Sequence, residues 1–162
     1  RGSLYQLIDC YTLFYFRFAS ENRLGNRHFW SEMIDSHVHS TWIGLAFERL
    51  CLLHADQIKE ALRIGGVHAN IHSWHNAHAQ IDLLIDRNDG IVNLCEMKYH
   101  EGPYTIEKDV DEAVRGKKCE FKEETGTRKA VHVVFVTPYG VKPNAYSKNV
   151  QAFVRLDDLF CF

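Results

Sequence analysis

An α/β fold is what this sequence predicts, and three observations predict it. Ile43, Phe47, Leu50, His54, Ile58 and Leu62 recur at three- and four-residue steps, the period of a helix. After Gly65-Gly66 the period changes to two, with Val67, Ala69 and Ile71 alternating against His68, Asn70 and His72. A β-branched run from Val131 to Val136 then follows a charge-rich stretch at 105–124 that reads as one or two surface helices, so helical and strand patterns interleave.

The elements follow in order. Leu7, Cys10, Tyr11, Phe14 and Phe18 predict a helix over Leu4 to Ala19, apolar on nearly all sides and in need of cover on more than one. Residues 20–40 are polar and read as a connection with a short helix around Phe29 to Ile34. The long helix comes next, capped by Ser40 or Thr41 and stopped by Gly65-Gly66. It carries Glu48 close to Leu45, Cys51 and Leu52, where a carboxylate is either partnered or at the solvent boundary. Ile81 to Arg87 and Ile91 to Tyr99 are alternating runs separated by Asn88-Asp89-Gly90, a hairpin signal. A last strand is expected from Gln151 to Leu156.

Composition excludes several functions. The chain has 162 residues, 46% apolar and 25% charged, within the range of one ordinary domain and enough to bury roughly 70% of its unfolded surface. Nineteen Lys and Arg against twenty-one Asp and Glu give a charge of -2, so bulk neutralisation of phosphate is excluded and any nucleic-acid contact must come from a local patch. No stretch approaches the ~20 apolar residues of a membrane helix, because Gln6, Asp9 and Arg17 interrupt the N-terminal run. Five cysteines, at 10, 51, 95, 119 and 161, contain no C-x-x-C pair and no disulfide framework. A soluble, cytoplasmic protein is expected, with no signal peptide. The aromatic-rich beginning reads as the end of a longer protein.

The hairpin carries the chemistry. A three-residue loop at 88–90 sets residue 87 opposite 91 and Asp82 opposite Glu96, on one face of the sheet, with Lys98 joining them two residues on. Facing carboxylates cost a sheet about 0.2–1 kcal/mol unless something compensates. A divalent cation between them removes the repulsion, and Mg2+ prefers such oxygens together with water. A neighbouring lysine suits holding an attacking water or neutralising phosphate charge. The alternative is an ordinary exposed Glu-x-Lys salt bridge with Asp82 solvated.

Other features are read more plainly. His72, His75 and His78, with His68 nearby, lack a cysteine partner at zinc-ligand spacing and read as loop histidines able to meet a phosphate backbone. Lys117, Lys118, Lys122, Arg128 and Lys129 are interleaved with glutamates and read as a solvated helix face. Trp30, Trp42 and Trp74 are assigned to core and interface. Cys95 falls on the face opposite the carboxylates, away from any activating histidine.

Ile81-Asp82-Leu83-Leu84-Ile85-Asp86, then thirteen residues separating Asp82 from Glu96-Met97-Lys98, resembles the signature of the PD-(D/E)xK nuclease superfamily. More narrowly, Ala46-Phe47-Glu48, Asn93-Leu94-Cys95-Glu96-Met97-Lys98-Tyr99, Thr137-Pro138-Tyr139-Gly140-Val141-Lys142 and Leu156-Asp157-Asp158-Leu159-Phe160 are similar to the C-terminal region of a group of bacterial and archaeal AAA-type ATPases. Ile81 stands where the superfamily signature has proline. The resemblance implies a restriction-endonuclease-like α-β-β-β-α-β core with a mixed sheet flanked by helices. It implies that Asp82 and Glu96 bind Mg2+ or Mn2+, that Lys98 positions or polarises water, and that Glu48 is a further ligand. Residues 1–36 would be the tail of a winged-helix or linker region and 37–162 the nuclease-like domain. Expected partners are nucleic acid, with DNA favoured, and the ATPase and winged-helix part of the same natural chain. No G-x-x-x-x-G-K-[ST] loop occurs, so ATP would bind outside this segment. Two other readings stand beside a nuclease: an inactive nuclease-fold module that binds nucleic acid or regulates the attached ATPase, and a homodimer built through the N-terminal aromatic face.

Overall fold

The structure, a computed structural model, describes residues 7–22, 25–34 and 36–161. The chain forms two compact units, Arg1–Arg49 and Leu50–Phe162, with the boundary inside helix α3 (His37–Leu53).

In the first unit, α1 spans Cys10–Arg17 and α2 spans Phe29–Met33. The expected Leu4–Ala19 helix is shorter than the sequence predicts. Residues 4–6 lie outside the described residues, and Asp9 starts α1 by accepting the Thr12 N–H at 2.7 Å. Phe14 and Phe18 pack edge-on against Trp30, at ring-centroid distances of 5.0 and 5.4 Å, and Phe18 meets Trp42 in the same way. The expected cap of α3 at Ser40 or Thr41 is also corrected. Ser36 Oγ accepts the His39 N–H at 3.1 Å and the Ser36 carbonyl accepts from Ser40, which starts the helix one turn earlier.

The expected single helix to Leu62 is two. It breaks at His54, whose ring Nδ1 sits 2.8 Å from the Leu50 carbonyl, and α4 resumes over Ala55–Ala61. Arg63, with φ 58, ends α4 in place of the expected glycine pair. The N–H groups of Ile64 and Arg63 bond back to the carbonyls of Lys59 and Glu60, the closing pattern of a left-handed helix cap.

The second unit is an α/β domain on a five-stranded mixed sheet in the order β1 (Ala69–His75), β2 (Gln80–Arg87), β3 (Ile91–Met97), β4 (Ala130–Thr137) and β5 (Ala152–Arg155). The first three strands pair antiparallel and the last three parallel. Helix α5 (Lys108–Thr125) connects β3 to β4, so the order of elements is α-β-β-β-α-β with β5 added. The charge-rich stretch is thus one helix. Asp109 and Asp111 in its first turn and Lys122 in its last suit the helix dipole, and Gly126, with φ 63, closes it. Asp111 also fastens the start of α5, accepting from Arg115 and, at 3.0 Å, from Asn149.

One face of the sheet packs Leu84, Val92, Leu94, Val133 and Phe135 against Val114 and Phe121 of α5, with Trp74 edge-on to Phe121 at 5.5 Å. Residues of the other face, including Leu83, Ile85, Cys95 and Val134, are buried as well. A sheet covered on both faces needs apolar residues at successive positions, as β2 and β4 have.

Candidate functional site

The hairpin register places the first two site residues. The loop is the three residues 88–90, with Gly90 at φ 87 supplying the left-handed position. The ladder pairs Asp86 with Val92, Leu84 with Leu94 and Leu83 with Cys95, the register the sequence predicts, and Asp82 and Glu96 are the next residues along it. β2 does not run straight through this point. His72 pairs with Leu84 and Trp74 with Ile81, so Asp82 and Leu83 together oppose Ser73 in a bulge. Bulges bend a strand and re-aim side chains, and they concentrate beside functional sites.

Glu96 is nearly buried, its side chain 9% exposed, and it is held by two ammonium groups. Lys98 Nζ lies 3.0 Å from Oε1, and Lys117 Nζ of α5 lies 2.8 Å from Oε2. The Glu-x-Lys pair is therefore a salt bridge, but one within the protein rather than on an exposed strand face. The backbone N–H of Lys98 bonds the Val136 carbonyl and carries the β3–β4 ladder one step past the strand. Asp82 is half-buried and accepts from Gln80 Nε2 at 2.6 Å. It lines an open cleft of about 440 Å3 together with Gln80, His78 and the α5 residues Ala113, Gly116, Lys117 and Glu120. Lys117 thus lines the Asp82 cleft and also bonds Glu96, so that one side chain links Asp82's cleft to the Glu96–Lys98 pair.

Glu48 is a half-buried residue of α3 within the first unit, whereas Asp82, Glu96 and Lys98 belong to the second. Among the described residues no three His, Cys, Asp or Glu side chains converge as a metal site would require by that count. His72 and His75 are exposed on the edge strand β1, and His78 lines the cleft.

Two features were not read as functional from the sequence. Lys117, expected on a solvated face, points inward and is 23% exposed. Its signal was there: Val110, Val114 and Phe121 mark the apolar stripe of α5, and Lys117, three residues after Val114 and four before Phe121, falls on that stripe. Thr137, expected only as the end of a strand, shares by alternation the face of Val133 and Phe135, and continuing the β3–β4 register sets it beside Lys98. Its Oγ1 is buried with no hydrogen-bond partner among the described residues, a costly arrangement unless a further polar group meets it.

The donor set fits a hard cation. Mg2+ keeps several waters and is commonly held by one or two carboxylates plus substrate oxygens, so in donor type and number Asp82 and Glu96 are what such an ion would take. The two ammonium groups on Glu96 already balance its charge, so a metal ion there would have to displace at least one of them.

The thiols behave differently. Cys95 is 1% exposed, and burial, reinforced by the nearby Cys51, holds its thiol far above the ordinary range. Cys119 is exposed, but the hydrogen bond to Glu123 and that carboxylate's charge push its thiol up. Iodoacetamide at pH 8 is therefore expected to leave Cys51 and Cys95 unmodified in the folded protein, with protection of at least about 100-fold over the unfolded chain. Cys119 should react more slowly than it does in urea, as read by peptide mass spectrometry.

Tyr104 also belongs near the Glu96–Lys98 pair. Its hydroxyl is shifted up, mainly by burial, with Lys98 lowering it and Glu96 raising it. Its ring stacks on Phe135 at 6.2 Å.

No family model matches the chain, and no curated protein does. A solved structure, that of a protein of unknown function designated AF1548, is similar over 67% of this chain, at 14% identity and a TM-score of 0.44. This chain spans 64% of that protein.

Proposed function

We propose that this protein is a metal-dependent phosphodiesterase acting on nucleic acid, with DNA the favoured substrate, as the resemblance of its motifs to the PD-(D/E)xK nucleases implies. The observation that carries the reading is Lys117, which lines the cleft with Asp82 and bonds the nearly buried Glu96, itself 3.0 Å from Lys98. Asp82 and Glu96 would hold Mg2+ or Mn2+, whose chemistry is to polarise a phosphoryl oxygen and to lower the pKa of a bound water. Lys98, whose ammonium is held at Glu96, would hold the attacking water or meet the charge that develops on phosphate. Ala113 and Gly116 keep the α5 wall of the cleft low, so that a sugar-phosphate backbone can approach Asp82. A Cβ at Gly116 would meet nothing within 4 Å, so packing does not call for this mid-helix glycine. The similarity to the C-terminal region of AAA-type ATPases supports a place beside such a module.

A second reading, an inactive nuclease-fold module that binds nucleic acid, is favoured by the two lysines occupying both oxygens of Glu96. Cleavage assays with Mg2+ and Mn2+ on supercoiled, linear duplex and single-stranded DNA separate the two. Metal-dependent cleavage that Glu96→Ala and Lys98→Ala both lose is the expected result. Cleavage unchanged by both substitutions overturns the assignment, and binding without cleavage favours the module.

A further inference from the structure

We infer that Lys117 is a built-in counter-cation that competes with metal for Glu96 and is drawn off by a nucleic-acid phosphate, so that metal affinity is coupled to substrate. The inference rests on the metal site of the proposed function and adds how that site is controlled.

Each oxygen of Glu96 faces one ammonium group, Lys98 at 3.0 Å and Lys117 at 2.8 Å. A cation entering between Asp82 and Glu96 needs at least one of those oxygens, and an ammonium already in contact with it repels the newcomer at close range and low dielectric. The two lysines are not equivalent. Both carry flexible stems, but Lys117 lines the open cleft beside Asp82 and Lys98 does not. Lys117 is the one that a phosphate entering the cleft meets.

The cleft also offers it somewhere to go. Glu120 lies three residues on along α5, lines the same cleft, and is held by Asn76 Nδ2 at 3.0 Å. A phosphate entering the cleft gives the ammonium a second anionic partner and lowers the cost of releasing Glu96. Binding linkage then requires reciprocity: the factor by which substrate tightens metal is the factor by which metal tightens substrate.

The test is calorimetric titration of Mn2+ into the 162-residue protein, with and without a short single-stranded DNA whose linkages are non-cleavable phosphorothioates. Wild type, Lys117→Met and Lys117→Gln are compared, with circular dichroism confirming that each is folded; the glutamine keeps a neutral donor toward Glu96. Both variants are expected to bind Mn2+ at least about 10-fold more tightly than wild type without DNA. The oligonucleotide should tighten Mn2+ binding by a similar factor in wild type and much less in the variants. Affinity in both variants no tighter than wild type, or equal tightening by DNA in all three proteins, overturns the counter-cation role while leaving the metal site standing. Absence of Mn2+ binding in every protein, with and without DNA, instead overturns the reading on which it rests.

Discussion

Glu96→Ala is expected to reduce metal-dependent cleavage by at least about 100-fold, a loss of roughly 2.7 kcal/mol in transition-state stabilisation, while leaving the fold intact. The chemistry loses a cation ligand, and removing even a group that merely supports a metal ligand costs about 10- to 100-fold. The fold loses less. Glu96 is nearly buried, but its partners Lys98 and Lys117 are 38% and 23% exposed, so water reaches both ammonium groups when the carboxylate goes. Partly solvated pairs of this kind contribute on the order of 1 kcal/mol. The functional effect therefore exceeds the structural one, and rates measured with an unchanged circular dichroism spectrum distinguish them. Glu96→Gln, which keeps the shape and one acceptor, should lose cleavage to a similar extent. A variant that cleaves within a few-fold of wild type would show that Glu96 serves only to neutralise its two lysines.

Phe135→Ala is expected to destabilise the second unit by about 3–5 kcal/mol, the range for emptying a fully buried phenylalanine site. Phe135 is 1% exposed on β4, packs in the core beneath α5, stacks on Tyr104, and is the β4 neighbour of Glu96 in the parallel ladder. That loss is a large part of the 5–15 kcal/mol stabilising a typical domain. Phe153→Ala is the matched control. Phe153 pairs with Phe135 in register on β5 but is 44% exposed, so its truncation should cost under about 1 kcal/mol. Urea unfolding followed by circular dichroism reads both, and equal midpoint shifts would contradict the placement of the core.

The hairpin was the most legible part of the chain, for a physical reason. Asn88-Asp89-Gly90 fixes the loop length and the loop length fixes the register, which the ladder keeps from Asp86–Val92 through Leu83–Cys95. The bulge at Asp82-Leu83 was not legible, because it depends on how β1 meets β2 and not on either strand alone. Lys117 was passed over because its neighbours Lys118, Glu120 and Lys122 mark a solvated face, yet its spacing from Val114 and Phe121 puts it on the buried one. Helix ends were read less well. The break at His54 has no glycine or proline to announce it, and Arg63 takes a left-handed conformation more usual for the glycines two residues on.

The most direct measurement is calorimetric titration of Mn2+, and then Mg2+, into the wild-type protein with phosphorothioate DNA present, beside Asp82→Ala under the same conditions. Saturable binding at one site in wild type, lost in the variant, is the expected result and makes the Asp82–Glu96 pair a metal centre. Binding equal in both proteins, or absent from both, would contradict it, and Glu96 with its two lysines would then be an internal ion-pair network that shapes the cleft without catalysing hydrolysis.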